Sequence, residues 1–115
     1  GYVNLHGTPT PKNDEMESEV MARVFGVDVA CSSTKSLIGH TLGAARAQEL
    51  GLCWLLLDES NRARRLPAHG WDGVRDPKLP PIHLVGEDET WERDLFVSNS
   101  FAFGGSNAAI VIGRG

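Results

Sequence analysis

Apolar and polar positions alternate between two rhythms along this chain, and the change of rhythm marks its elements. Tyr2-Val3-Asn4-Leu5 reads as a strand, and Val27, Val29 and Ala30 read as a second, buried one. From Thr41 to Leu57 the period lengthens: Leu42, Ala45, Leu52, Leu55 and Leu56 return to one broad face, predicting a long helix. An earlier helix is expected to begin at Asp14 and end at Gly26, with Met16, Val20, Val24 and Phe25 as its apolar face. Asp14 as N-cap and Glu17 three residues on resemble a capping box, which is a sufficient structural account of both. Between 60 and 94 the pattern dissolves into a Pro- and Gly-rich connection, with one short extended piece at Ile82-His83-Leu84-Val85. Two further strands, Leu95-Phe96-Val97 and 108–112, flank a ten-residue polar loop, 98–107.

Polar residues gather where these elements meet. The first strand delivers His6 into the turn Gly7-Thr8-Pro9-Thr10-Pro11, where each proline biases the threonine before it toward extended geometry. The two hydroxyls can then face a common groove, and Gly7 permits close approach of a ligand or another strand; a proline-rich turn with a surface histidine is the plainer reading. Ser32, Ser33, Thr34, Lys35, Gly39 and His40 sit between the second strand and the long helix. A lysine and a histidine there are expensive to bury unless paired, and a loop just before a helix start is a place for charge to develop in a reaction. Glu49, on a mostly apolar face, is either an exposed glutamate or a buried carboxylate paired with Lys35 or with backbone amides. Loop 98–107 has Phe101 and Phe103 to wall an apolar channel, and amides beside Gly104 and Gly105 to form an oxyanion site. Cys31, at the end of an apolar strand with no Gly-rich elbow after it, reads as an inert core thiol. His69 and His83, in the irregular connection, read as surface residues.

Composition narrows the class. At 115 residues the chain is one domain or part of one, and Gly1 running at once into a strand, with no initiator methionine, reads as a fragment. Apolar and charged contents of 41% and 23% are ordinary for a soluble globular protein. A net charge of −4 and no basic cluster beyond Arg62-Ala63-Arg64-Arg65 give no face for nucleic acid. The apolar run 52–57 is too short for a membrane span, and no signal peptide is visible. Two distant cysteines point to a reducing, cytoplasmic setting rather than a disulfide or zinc framework.

Three stretches, in this order and spacing, resemble β-ketoacyl-acyl-carrier-protein synthases of the KAS I/II type. They are Asn4-Leu5-His6-Gly7-Thr8-Pro9-Thr10-Pro11 with Asp14 and Glu17; Ser33-Thr34-Lys35-Ser36-Leu37-Ile38-Gly39-His40 with Leu42-Gly43-Ala44-Ala45; and 98–107. The resemblance implies an α/β, thiolase-like fold, of which residues 1–115 are the greater part of the C-terminal half: a mixed sheet packed against helices. It implies a Cys-His-His acyltransferase whose nucleophilic cysteine lies in the absent N-terminal half, so that the fragment alone is expected to be inactive. His6 and His40 become the catalytic histidines, and Lys35 supports the electrostatics around His40. Phe103 becomes the gatekeeper completing the oxyanion hole, with Phe101, Gly104 and Gly105 beside it. Thr8 and Thr10 fall where the family binds phosphopantetheine; Glu49, Asp14 and Glu17 support the site. Asn4, Glu49, Ser98 and Asn99 are similar to residues that hold a structural cation in some members, though no metal is required. Nor is a cofactor, because the substrate itself carries phosphopantetheine on acyl carrier protein. The implied partners are that carrier, malonyl and acyl thioesters, and a second subunit, as homodimer or as heterodimer with another synthase-like chain. The alternative is a non-catalytic, chain-length-factor-like partner of a true synthase, against which His6, Lys35 and His40 argue. Two departures from the family pattern stand out: Arg46 where glycine is usual, expected to alter helix packing, and Ala102 for glycine in the Phe-x-Phe-Gly-Gly loop. Residues 13–18 and 71–73 look most similar to the synthases of aryl-polyene or xanthomonadin-type pigments.

Overall fold

Backbone pairing, more than side-chain polarity, decides where the strands of this chain lie. The computed structural model describes residues 1–8, 10–39, 44–71, 73–74, 76–101 and 106–114. Its strands are β1 (Tyr2–Asn4), β2 (Ala30–Ser32), β3 (His83–Leu84), β4 (Leu95–Phe101) and β5 (Asn107–Gly113). They form one sheet in the order β3-β2-β1-β4-β5, parallel throughout except for the antiparallel β4–β5 pair. The helices are α1 (Pro11–Val24), α2 (Lys35–Ile38) and α3 (Ala45–Leu57).

Alternation along the strands gives each face its own core. Val3, Leu5, Met21 and Cys31 pack together on the α1 side, with Phe25, Ile82, Leu84 and Val97 around them. Tyr2, Cys53, Leu57, Leu66, Val85, Trp91 and Phe96 pack on the α3 side. Phe96 is the hub there, edge-on to Tyr2 at 5.2 Å and to Trp91 at 5.3 Å. A mixed sheet with a helix on each face is the predicted α/β architecture.

Several local expectations are corrected. Helix α1 begins at Pro11, not Asp14, because Thr10 is the N-cap: its Oγ1 accepts the Asn13 N–H at 3.4 Å, and proline suits the first helical position. The helix is also turned about its axis relative to the expected face. Glu17, Ser18 and Met21 are buried, whereas Met16, Val20 and Val24 are exposed, Val24 to 67%. Its end is as expected, with Gly26 at φ 76° just past the cap Phe25. Strand β2 lies three residues later than Val27, which is 53% exposed. On α3 the buried stripe is Ala45, Glu49, Cys53 and Leu57, a strict four-residue spacing, and Leu55 is 56% exposed. Strand β4 continues through Ser98, Asn99 and Ser100, which the sequence predicts as loop; their backbones pair with Ile110, Ala109 and Ala108 of β5. The irregular connection is tied down by the Leu66 N–H to Glu89 carbonyl and His69 N–H to Val85 carbonyl bonds, at 2.9 and 2.8 Å.

Candidate active site

The parallel strands β1, β2 and β4 end on the same edge of the sheet, where ligands bind in open α/β sheets. From that edge emerge His6, the Ser33-Thr34-Lys35 loop and Phe101. The His6 turn is held by Glu17, the buried carboxylate of α1. Glu17 accepts the His6 N–H at 2.7 Å and the Gly7 N–H at 2.9 Å on its two oxygens, and the Asn13 amide at 3.1 Å. Burial pushes its carboxyl above the ordinary value, and these donors pull it back. This clamp, rather than a capping box, explains Glu17 and the unexpected rotation of α1. The half-buried His6 imidazole stands edge-on to the Phe101 ring, 5.6 Å between centroids.

Gly7 makes the close approach its position suggested. Its φ is +54°, and a Cβ there would lie 2.2 Å from Ser33 Oγ and 2.3 Å from Ser33 Cβ. Gly7→Ala is therefore expected to cost more than about 1 kcal/mol of stability, from a strained φ as well as the clash. A fall in the unfolding midpoint checks this; an unchanged midpoint would show that the turn yields freely.

Lys35 opens α2, a short helix the sequence did not predict. Its Nζ donates to Glu49 Oε1, and both side chains are buried, with 4% and 1% exposed. Of the two readings of Glu49, the buried and paired one is correct. Around it lies a polar strip on the α3 face. Tyr2 OH and Ser32 Oγ are 2.7 Å apart, Ser32 Oγ donates to the Pro67 carbonyl at 2.8 Å, and Asn4 pairs in register with Ser98. Glu49 Oε2 and Asn4 Nδ2 are buried without hydrogen-bond partners. Glu49 Oε2 can accept a cation, but the orphaned Asn4 atom is an amide N–H donor, so the expected set does not converge as oxygen ligands, and Asn99 alternates to the other face. Among the described residues no group of three or more His, Cys, Asp or Glu side chains is placed to hold a metal.

Thr8 is half-buried, but Thr10 is exposed and its hydroxyl caps α1, so the two do not share a groove as expected. Asp14 is exposed in the first turn of α1 and is not the cap. Cys31 is fully buried; its thiol donates to the His83 carbonyl at 3.3 Å, and burial pushes its pKa up to about 12, as expected of a core thiol. Arg46 does not disturb the packing of α3: it points outward and donates to the Ser106 carbonyl at 3.4 Å. His83 is half-buried and pairs with Glu89 at 2.8 Å. His69 is not a surface residue. It is half-buried, and its Nδ1 accepts the Ser33 N–H at 3.1 Å. Sequence reasoning missed it because the contact spans 36 positions. His40, Ala102, Phe103, Gly104 and Gly105 lie outside the described residues.

A cavity of about 820 Å³ opens beside this edge, between α1 and the irregular connection. Gly7, Glu17, Ser33 and His69 line its polar end, and Trp71, Leu79 and Ile82 its apolar wall.

This architecture is that of a thiolase-like C-terminal half, and solved ketosynthases share it. A ketosynthase from Xenorhabdus doucetiae, in complex with its chain length factor, is 49% identical over 99% of this chain and 28% of its own, with a TM-score of 0.90. A beta-ketoacyl synthase from Burkholderia phymatum is 37% identical over the whole of this chain and 28% of its own, with a TM-score of 0.86. Residues 1–67 match the beta-ketoacyl synthase C-terminal domain. The chain belongs to the beta-ketoacyl synthase family. Among curated relatives, 3-oxoacyl-[acyl-carrier-protein] synthase 2 of Coxiella burnetii is 35% identical over 98% of this chain. Synthase 1 of Escherichia coli K12 is 38% identical over 96% of it. The chain spans 27% of the length of each of these two relatives.

Proposed function

We propose that the full-length protein is a 3-oxoacyl-[acyl-carrier-protein] synthase, and that residues 1–115 supply its histidine pair, His6 and His40. The observation that carries this reading is the placement of His6: a half-buried imidazole at the carboxyl edge of the sheet, its backbone fixed by Glu17 and its ring against Phe101. Family membership supports the same reaction.

In the proposed reaction a cysteine outside residues 1–115 attacks an acyl thioester, expelling the carrier thiol and keeping the acyl group. A malonyl thioester then loses CO₂. The electron pair left behind becomes an enolate whose oxygen is stabilised by imidazole N–H groups of His6 and His40, a charge that exists only once the bond breaks. The enolate carbon attacks the acyl-enzyme carbonyl, a C–C bond forms, and the cysteine leaves as thiolate. Amides around Phe103, Gly104 and Gly105 receive the transient oxyanion, with Phe101 and Phe103 gating the acyl channel. Lys35, paired with Glu49, anchors the start of α2, which ends two residues before His40. Thr8 is the better placed of the two threonines to meet the phosphopantetheine arm, since Thr10 is engaged as a cap.

The partners in this reading are acyl carrier protein, bearing the phosphopantetheine thioesters, and a second synthase-like subunit. Pairing with a chain-length-factor subunit is supported by the 49% identity to a ketosynthase solved with such a partner. A polyene pigment pathway rests on the sequence resemblance of residues 13–18 and 71–73 alone. A cytoplasmic setting accords with two buried free thiols; among the described residues no helix is long and apolar enough to cross a membrane.

Acyl loading tests the division of labour. The full-length Cys31→Ala variant is expected to load an acyl group as the wild type does, read by intact-protein mass spectrometry. Loss of the adduct would identify Cys31 as the nucleophile and overturn the assignment.

A further inference from the structure

Ser33 is the residue through which the two halves of the site touch. Its Oγ accepts the Lys35 N–H at 3.3 Å, and its side chain occupies the space a Cβ on Gly7 would need. The His6 turn and the Lys35 loop are thus spaced by one serine. The β1–β2 pairing ends at Ser32, so the Ser33 N–H lies beyond the ladder. It is satisfied by His69 Nδ1 at 3.1 Å instead. His69 is itself anchored, because its own N–H donates to the Val85 carbonyl at 2.8 Å and its ring stands edge-on to Trp71, 6.1 Å between centroids.

We propose that His69 is a positioning residue for the condensation: its neutral imidazole accepts the Ser33 N–H, and through Ser33 sets the His6 turn against the Lys35 loop. This inference rests on the function proposed above.

The acceptor role fixes the tautomer, with the proton on Nε2 and a lone pair on Nδ1. A second proton would occupy Nδ1 and leave two N–H groups facing each other. Burial lowers the pKa of His69 below its ordinary 6.5, while Asp14 across the gap on α1 pulls it back. Glu17, Lys35, Asp76 and His83 are the other charged or titratable side chains lining the same cavity. Because the shift is downward, the bond is intact at neutral pH and is lost as pH falls below 6.5 through the lowered value. The fold loses the associated stability over the same interval.

Two variants of the full-length protein separate positioning from packing. His69→Asn keeps an acceptor oxygen near the place of Nδ1 but cannot titrate; His69→Leu keeps bulk and loses the acceptor. Malonyl decarboxylation is expected to fall about tenfold in His69→Leu, the worth of one hydrogen bond to a buried amide, with KM and acyl loading unchanged. His69→Asn is expected to stay within about threefold of wild type at pH 7.5 and to lose the part of the acid limb that His69 contributes. Amide hydrogen exchange at Ser33, compared at one pH, is expected to speed up in His69→Leu and not in His69→Asn. Equal exchange at Ser33 in all three proteins, or equal rate loss in both variants, would overturn the proposal. A wild-type protein that does not decarboxylate malonyl thioester would sink the proposed function instead, and the exchange measurement would still decide whether His69 holds Ser33.

Discussion

On the proposed function, His6→Ala in the full-length protein is expected to lower malonyl decarboxylation about a hundredfold to a thousandfold, the usual cost of deleting one donor to a developing oxyanion. Acyl transfer to the nucleophilic cysteine of the proposed reaction is expected to persist, because that step needs the thiolate and its oxyanion amides rather than an imidazole aimed at the enolate. The expectation rests on how firmly His6 is held. Glu17 fixes its N–H and that of Gly7, Phe101 flanks its ring, and Ser33 leaves no slack beneath the turn. His40→Ala is expected to match it, on the strength of the family resemblance. His83→Ala is the control: that side chain is engaged with Glu89 and the Asp28 carbonyl, and its loss should leave the rate within about twofold, as for other exposed ion pairs. Stopped-flow or gas-release assays of CO₂ read all three. Decarboxylation at the wild-type rate in His6→Ala would remove the histidine from the chemistry.

The second large effect is on stability. Glu49→Ala leaves the Lys35 ammonium buried with no counter-charge, and breaking such a pair costs about 3–5 kcal/mol. The double variant Lys35→Met/Glu49→Leu removes both charges and is expected to recover most of that loss, since well-packed apolar replacements of buried pairs are often neutral in stability. Its activity should not recover, because α2, which ends two residues before His40, loses the ion pair that anchors its first residue. Denaturant unfolding of the full-length protein measures the difference. A Glu49→Ala midpoint equal to wild type would mean that water reaches Lys35 and that the pair is not the buried strut described above.

What was legible in the sequence was local or patterned. His6-Gly7-Thr8 and Ser33-Thr34-Lys35 could be read as turns at strand ends because glycine, proline and hydroxyl residues interrupt apolar runs there. Cys31 read correctly as a buried core thiol, since a cysteine closing an apolar strand packs as a small apolar group. The α/β class came instead with the family resemblance, and the mixed sheet between its helices bears it out. The errors share a cause. The face of α1 was assigned by its valines and methionine, but Glu17 has two backbone donors to satisfy, and leaving them unpaired outweighs exposing Val20 and Val24. On α3 the decisive residue was again a glutamate, buried because Lys35 meets it from 14 positions away. Ser98, Asn99 and Ser100 looked like loop because they are polar, yet the ladder to β5 satisfies their backbones. His69 was unreadable for the plainest reason: nothing in its neighbourhood along the chain points to Ser33. In each case a long-range polar contact overrode a local hydrophobic pattern.

The central claim is that this chain contributes enolate-stabilising histidines to a decarboxylative condensation. Its most direct test is to incubate the full-length protein with malonyl- and acyl-loaded carrier protein, quantifying CO₂ and 3-oxoacyl thioester together by mass spectrometry. The account predicts the two products in equal amounts, both lost in His6→Ala while the acyl-enzyme still forms on a cysteine outside residues 1–115. Formation of 3-oxoacyl thioester by His6→Ala at the wild-type rate, or an acyl adduct on Cys31 or Cys53, would contradict it.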